Sequence, residues 1–316
     1  MKNIILIISF VFGLAVSISA QSVTCDTFHF ATHEGEELYL DRYVADVDVD
    51  KARPCMIFAF GGGFVRGERD TDFYMNYFES LAREGIVVVS IDYRLGLKGF
   101  KGGGGVRDMI DIMSRAVNVA VEDMYAATNY VVVNAEAWGV DTEAIMLSGS
   151  SAGAITAIQA EWLRCNGAEL AAVLPEDFRY AAVVACAGAI FSERGRPKFK
   201  STPAPMLLFH GTSDSNVPYK KGAIMGIGFY GSKYIAKQLD RIDAPYMFYS
   251  VEYADHRLAG TPLLDKCDLI KQFIRDYVID GQRQRTMINV ENIGAEKRKT
   301  YFTPMDYIRT NYKRTK

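Results

Sequence analysis

Apolar and polar positions along the chain alternate between two patterns, one typical of strands and the other of helices. Short apolar runs bounded by Gly or Pro predict buried strands, and apolar residues three or four positions apart predict helices. The predicted strands are 37–44, 55–60, 86–93, 144–148, 181–187, 206–209 and 246–253. The predicted helices are 73–83, 117–133, 152–163, 234–239 and 263–278.

This order of elements predicts an α/β protein with a mostly parallel central sheet and helices on both of its faces. The predicted strands never cluster apart from the helices, so a single domain is expected over residues 21–281. The sequence leaves the oligomeric state open.

The first 20 residues have the layout of a secretory signal peptide. Lys2 is followed by an apolar run over 4–16 and by a small-residue stretch over 17–20. The run is shorter than the roughly 20 residues that span a bilayer, which disfavours the alternative of a membrane anchor. We therefore expect cleavage near Ala20, a secreted or periplasmic protein, and no stable membrane insertion afterwards.

Residues 282–316 are predicted to form a basic C-terminal extension. From residue 281 onward there are nine Lys or Arg residues and three acidic ones. Charge runs are usually solvated, so we expect an extension that packs its apolar residues on the body, namely Tyr301, Phe302, Tyr307 and Ile308. An anionic partner is the alternative.

Composition narrows the function classes. The chain has 36 Lys and Arg against 38 Asp and Glu, and 49% of its residues are hydrophobic. This composition excludes a nucleic-acid binder, because such proteins carry a basic excess. It also excludes a disordered chain, because such chains are more polar. The five Cys have no C-x-x-C spacing, so we expect no zinc ribbon and treat most of them as small buried hydrophobes.

The pentapeptide Gly149–Gly153 fits the pattern G-x-S-x-G between a predicted strand and a predicted helix. A tight turn in this position holds its central serine on a strained backbone with the hydroxyl exposed. The N–H groups at the start of the following helix point toward developing negative charge. Ser151 is therefore the candidate nucleophile.

A serine nucleophile needs a base, and the chain offers four histidines. His29 and His33 belong to a peripheral first strand, and His210 is expected to shape a loop. His256 follows the strand 246–253 at the edge where the loops of an open α/β sheet gather, which makes it the best base.

The base needs a carboxylate to orient it. Asp214 lies on the loop after the strand 206–209 and is the best candidate. Asp255 is a rival by adjacency to His256, and Asp243 is expected at the opposite end of the sheet. The order Ser151, Asp214, His256 is the order of nucleophile, acid and base in α/β-hydrolases.

An acyl-transfer site also needs donors for an oxyanion. Three glycines, 61–63, follow the buried strand 55–60, so their backbone can approach a ligand closely. The N–H groups of Gly62, Gly63 and Ala152 are the predicted oxyanion hole.

With these motifs the sequence resembles the α/β-hydrolase superfamily over about 38–281, in its esterase and lipase branch with an H-G-G-G-type oxyanion loop. The segment 91–95 matches the D-Y-R-L segment of that branch. Phe60 replaces the usual histidine of the loop, and Ser150 replaces an acidic residue found in many relatives. The resemblance implies a secreted esterase of the carbohydrate-esterase or feruloyl-esterase type.

Other chemistries fit less well. His29 and His33 lack the glutamate and third ligand of a metalloprotease motif, and the glycine run 102–105 lacks the Lys of a phosphate loop. No metal or cofactor is expected. The sequence predicts a serine carboxylic-ester hydrolase acting on short acyl esters of a small-molecule or polysaccharide alcohol, such as acetyl or feruloyl groups. A serine peptidase of the same fold and a catalytically silent binding protein remain the alternatives.

Overall fold

The computed structural model describes residues 21–49, 51–101, 105–303 and 306. The predicted signal peptide, 1–20, and the tail residues Tyr307 and Ile308 lie outside this range. The strands are β1 (Val23–His33), β2 (Glu36–Ala45), β3 (Arg53–Ala59), β4 (Val87–Ile91), β5 (Val140–Ser150), β6 (Ala182–Cys186), β7 (Ala189–Ser192), β8 (Met206–Gly211), β9 (Lys221–Ile224), β10 (Ile227–Gly231), β11 (Tyr246–Val251) and β12 (Arg285–Val290).

Nine strands form the central sheet in the order β1-β2-β4-β3-β5-β6-β8-β11-β12. Every neighbouring pair from β4 to β12 is parallel, and β2 runs antiparallel to both β1 and β4. The predicted, mostly parallel sheet is confirmed. The inner strands β4 and β6 are buried at every position, which a sheet achieves only when helices cover both faces.

The helices are α1 (Asp72–Ala82), α2 (Val106–Val133), α3 (Ala135–Trp138), α4 (Ala152–Cys165), α5 (Ser232–Arg241), α6 (Thr261–Asp265) and α7 (Cys267–Ile274). Helix α1 packs with α6 and α7, and α2 packs with α4. Helix α2 starts well before the predicted residue 117. Its first turns are half exposed and carry little apolar periodicity, so the sequence pattern did not reveal them. The single helix predicted over 263–278 is interrupted at Lys266 and ends in a π-helical turn, Arg275–Ile279.

A second, antiparallel sheet has the order β7-β10-β9 and was not predicted. Tyr219, Phe229 and Tyr230 are buried around it. Residues 152–213 are described without a gap and contain α4, a 3₁₀ turn, β6, β7 and β8, with no helical lid among them.

The sheet extends beyond the predicted domain boundary at residue 281. Strand β12 pairs along its whole length with β11, so residues 285–290 belong to the main body and the predicted extension 282–316 is not a separate unit. Only alternate residues of β12 are partly buried, and the pattern is weak because the strand lies at an edge. Beyond it, Phe302 packs against Gly222, whereas Tyr301 is 71% exposed, contrary to expectation.

Two further points concern whether the helices could span a membrane and the state of the five cysteines. Within the described ranges, no helix has the length and apolar character needed to cross a bilayer. All five cysteines are free thiols. Cys55, Cys165 and Cys186 are buried as expected, whereas Cys25 is exposed and Cys267 is partly buried.

Two truncations test the place of β12. A chain that stops after Gly281 leaves the outer edge of β11 unpaired, whereas one that stops after Glu291 keeps β12 and loses only the tail. We expect the shorter chain to unfold about 5 °C lower than the longer one in a thermal melt followed by circular dichroism. Equal midpoints for the two truncated chains would contradict a structural role for this strand.

Candidate active site

Ser151 lies in the turn that joins β5 to α4. Its backbone has φ 51° and ψ −112°, a conformation that a residue with a side chain adopts only when its surroundings enforce it. The Ser151 N–H donates to the carbonyl of Cys186 at 2.9 Å, which ties the turn to the end of β6. The strained turn therefore occurs where the pentapeptide pattern predicted it, and Ser151 in this turn is partly exposed.

The two flanking glycines are required by close backbone contacts. A Cβ at Gly149 would lie 2.3 Å from the carbonyl carbon of Gly153, and a Cβ at Gly153 would lie 2.0 Å from the carbonyl oxygen of Ala59. No side chain fits at such distances. The backbone of α4 consequently begins in direct contact with the end of β3, next to the glycine loop 61–63.

His256 meets Ser151 across the carboxyl edge of the sheet. Its Nε2 lies 2.8 Å from Ser151 Oγ, and its Nδ1 lies 2.7 Å from Asp214 Oδ2. His256 begins a short 3₁₀ turn after β11, and Asp214 lies on the loop after β8. The structure thus brings the three predicted residues into one continuous hydrogen-bonded row.

Asp214 is held in place by its own loop. Its Oδ1 accepts hydrogen bonds from the backbone N–H groups of Asn216 at 2.8 Å and Val217 at 2.9 Å, so the short D-x-x-V segment orients the carboxylate locally. Burial alone would raise the pKa of Asp214, but its contacts with His256 and His210 outweigh burial and hold the pKa well below its ordinary value. Asp214 therefore stays ionised across the neutral range.

The rival carboxylates are occupied elsewhere. Asp255 accepts from Arg257 Nε at 3.0 Å and from Arg298 Nη1 at 2.7 Å, and it also caps the turn of His256 through the Arg257 N–H. Asp243 pairs with Arg285 at 2.8 Å before the start of β11, at the opposite end of the sheet as expected. Neither Asp255 nor Asp243 is paired with His256.

Of the other three histidines, two lie on β1 and contact other residues, and the third lies beside Asp214. On the peripheral β1, His29 contacts Thr32 at 2.9 Å, and His33 lies 3.8 Å from Asp123. Among the residues that the structure describes, no group of His, Cys, Asp and Glu could hold a metal ion. His210 is buried beside Asp214, a contact that the sequence analysis missed although the two residues are four positions apart.

The glycine loop after β3 lies against the serine turn. A Cβ at Gly61 would be 3.3 Å from Cβ of Ser151, and one at Gly62, whose φ is +142°, would be 1.7 Å from the Arg66 carbonyl oxygen. Within the described chain, the N–H groups of Gly62, Gly63 and Ala152 donate to no protein acceptor. Free donors beside a candidate nucleophile are what an oxyanion hole requires.

Aromatic side chains support this loop around Phe60. Phe60 stacks on Tyr93 with ring centroids 4.4 Å apart, and the Tyr93 hydroxyl donates to the Phe60 carbonyl at 2.8 Å. The Gly61 N–H donates to the Tyr74 hydroxyl at 3.1 Å. Leu97, which follows β4, donates its N–H to the carbonyl of Phe64 at 2.9 Å.

The sheet order, the serine turn and the loops at the carboxyl edge define an α/β-hydrolase fold. A fold comparison agrees: esterase 2 of Thermogutta terrifontis superposes with a TM-score of 0.57 at 22% identity, covering 79% of this chain and 93% of the other. This likeness confirms the predicted fold class.

Sequence comparisons match part of the chain to esterases. Residues 17–161 match the model of the carboxylesterase family, a range that holds the glycine loop and Ser151 but not Asp214 or His256. Acetylcholinesterase of Gallus gallus is 38% identical over 117 residues, which are 37% of this chain and 14% of that protein. Esterase B1 of Culex pipiens is 30% identical over 119 residues, which are 38% of this chain and 21% of that protein. The matches thus span about a fifth or less of these relatives.

The contact between α4 and β3 can be tested by one methyl group. We expect Gly153→Ala to lower the free energy of unfolding by about 3 kcal/mol, because the added Cβ meets the backbone of Ala59 and nothing flexible can give way. The matched control is Gly105→Ala, where φ is −81° and the nearest atom to the new Cβ is 3.8 Å away.

Urea unfolding of both variants provides the measurement. The control should stay within about 0.5 kcal/mol of the parent. If Gly153→Ala unfolds at the same urea concentration as Gly105→Ala, the close approach does not exist in solution.

Proposed function

We propose that the protein is a serine carboxylic-ester hydrolase that acts on short acyl esters. The observation that carries this proposal is the unbroken row from Ser151 through His256 to Asp214, with contacts of 2.8 and 2.7 Å. This arrangement stands beside free backbone donors on a strained strand-to-helix turn. The match of residues 17–161 to the carboxylesterase family and the partial matches to two esterases support the same reaction class.

In the proposed reaction, His256 Nε2 takes the proton of Ser151 Oγ as the oxygen attacks the acyl carbonyl. The N–H groups of Gly62, Gly63 and Ala152 hold the negative oxygen of the tetrahedral intermediate. His256 then gives the proton to the departing alcohol, which leaves an acyl group on Ser151. Water, deprotonated by His256, releases the acid and restores the serine. Asp214 remains ionised and stabilises the imidazolium in both steps.

The lack of a helical lid over the described residues 152–213 favours soluble esters with small acyl groups. The described residues 152–213 form no helical lid of the kind that covers a lipase site. Two of the solved structures of Thermogutta terrifontis esterase 2 carry propionate and butyrate, and their TM-scores against this chain are 0.54 and 0.52. Acetyl or feruloyl groups carried by a polysaccharide are the natural esters that we propose as first candidates.

Hydrolysis of p-nitrophenyl acetate, butyrate and octanoate by residues 21–316 tests the proposal. We expect the two short esters to turn over, with kcat falling about 10⁴-fold or to background in Ser151→Ala, because that variant lacks the nucleophile. Ser148→Ala is the matched control, since Ser148 is buried on the same strand and its hydroxyl contacts Tyr77 at 3.0 Å.

Each alternative gives a different result in this assay. Cleavage of peptide amides that depends on Ser151, without ester turnover, would favour the serine peptidase. Equal rates in Ser151→Ala and the parent chain, or no turnover of any substrate by a folded protein, would favour the silent binding protein and reject the hydrolase.

We also propose that residues 1–20 direct export and are then removed. Lys2, the apolar run over 4–16 and the small residues before Gln21 support this. Expression of the full chain in an exporting bacterial host should give a periplasmic or secreted product whose first residue, read by mass spectrometry, is Gln21 or its neighbour. Leu6→Arg should keep the chain in the cytoplasm. An exported product that retains Met1 would contradict cleavage.

A further inference from the structure

The carboxylate of Asp214 faces two imidazoles. His210, on β8, is fully buried, and its Nε2 lies 3.4 Å from Asp214 Oδ2. The same oxygen lies 2.7 Å from Nδ1 of His256. The proposed reaction uses only one of these rings, so the buried second ring needs a separate explanation.

Its surroundings determine where His210 carries a proton. Nε2 lies 3.2 Å from the carbonyl oxygen of Val217 and close to Asp214 Oδ2, and both of these atoms are acceptors. A bare nitrogen lone pair would be repelled by both, so Nε2 must carry the hydrogen. The hydrogen bond of that N–H goes to the Val217 carbonyl, and its positive end also lies close to Asp214 Oδ2, 3.4 Å from Nε2, and stabilises the charge on that oxygen.

The other side of the ring is fixed by a serine. His210 Nδ1 lies 2.8 Å from Ser232 Oγ, and this hydroxyl is also 3.4 Å from the carbonyl oxygen of Gly188. When the hydroxyl donates to Nδ1, the ring is neutral. When it donates to Gly188, Nδ1 can carry a second hydrogen and the ring is a cation. In both states the N–H on Nε2 still faces Asp214.

Two other polar side chains near this pair, Tyr219 and Asp255, are engaged with other partners. Tyr219 presents its ring edge to His210, with centroids 5.7 Å apart, and its hydroxyl contacts Ser250 at 2.7 Å. On the turn of His256, Asp255 is paired with Arg257 and Arg298. The charge of Asp214 is therefore divided between two backbone N–H groups and the two histidines.

We propose that His210 is a positioning residue, which holds Asp214 Oδ2 and takes part of its charge, and so sets both the orientation of His256 and the pH at which His256 acts as a base. This inference rests on the proposed function. His210 exchanges no proton with the substrate. Without it, the full charge of Asp214 would fall on His256 and favour the imidazolium, which cannot accept the proton of Ser151.

Two substitutions separate the parts of this role. His210→Leu fills the space without a donor, so we expect the acid limb of the kcat/KM profile to move upward by about one pH unit. We also expect kcat on the high-pH plateau to fall about tenfold with KM little changed. His210→Gln can place an amide N–H near the position of Nε2 and should recover most of the plateau.

Tyr219→Phe is the matched control, since it alters an equally buried neighbour of His210 that does not touch Asp214. Its profile should superimpose on that of the parent chain. If folded His210→Leu shares the parent's acid limb, or if the plateau falls without a shift and His210→Gln recovers nothing, His210 is only a packing residue and the proposal is wrong.

A second measurement keeps the two proposals distinguishable. Proton NMR of the hydrogen on His256 Nδ1, in the parent chain and in the His210 variants, follows the protonation of His256 without any turnover. If the parent hydrolyses no ester, the proposed function fails, yet an upward move of this titration midpoint in His210→Leu would still support charge sharing. An unchanged midpoint would overturn it.

Discussion

The contact between the start of α4 and the end of β3 is the constraint on which the site depends. Gly153 approaches the carbonyl of Ala59 so closely that no side chain can intervene, and this places Ser151 beside the glycine loop that follows β3. The strained backbone of Ser151 is the result, since the chain must reverse from strand to helix within this space. The ends of β8 and β11 then need only supply Asp214 and His256 at the same edge of the sheet.

Features fixed by local geometry were predictable from the sequence. The serine turn follows from two glycines at a set spacing, and the loop of Asp214 orients its own carboxylate through the N–H groups of Asn216 and Val217. Buried parallel strands such as β4 are apolar on both faces, so a short window of sequence reveals them.

Features that depend on distant partners were not predictable. Strand β12 is held by pairing with β11, and its own pattern is only half apolar, so its residues were assigned to a basic extension. The sheet β7-β10-β9 likewise arises from pairing between short segments. The role of Phe60 could not be predicted from its identity either. The glycine loop is supported by Tyr74 on α1 and Tyr93 after β4, both distant in sequence from the loop.

The position of β12 has a consequence for how the chain acquires its structure during synthesis. Strands β1 to β11 can pair with one another before the last residues are made, because β12 is added at the outer edge of the finished sheet. Arg298, which pairs with Asp255 on the turn of His256, is translated later still. The turn of His256 is therefore the part of the site whose supporting contacts become available last as the chain is synthesised.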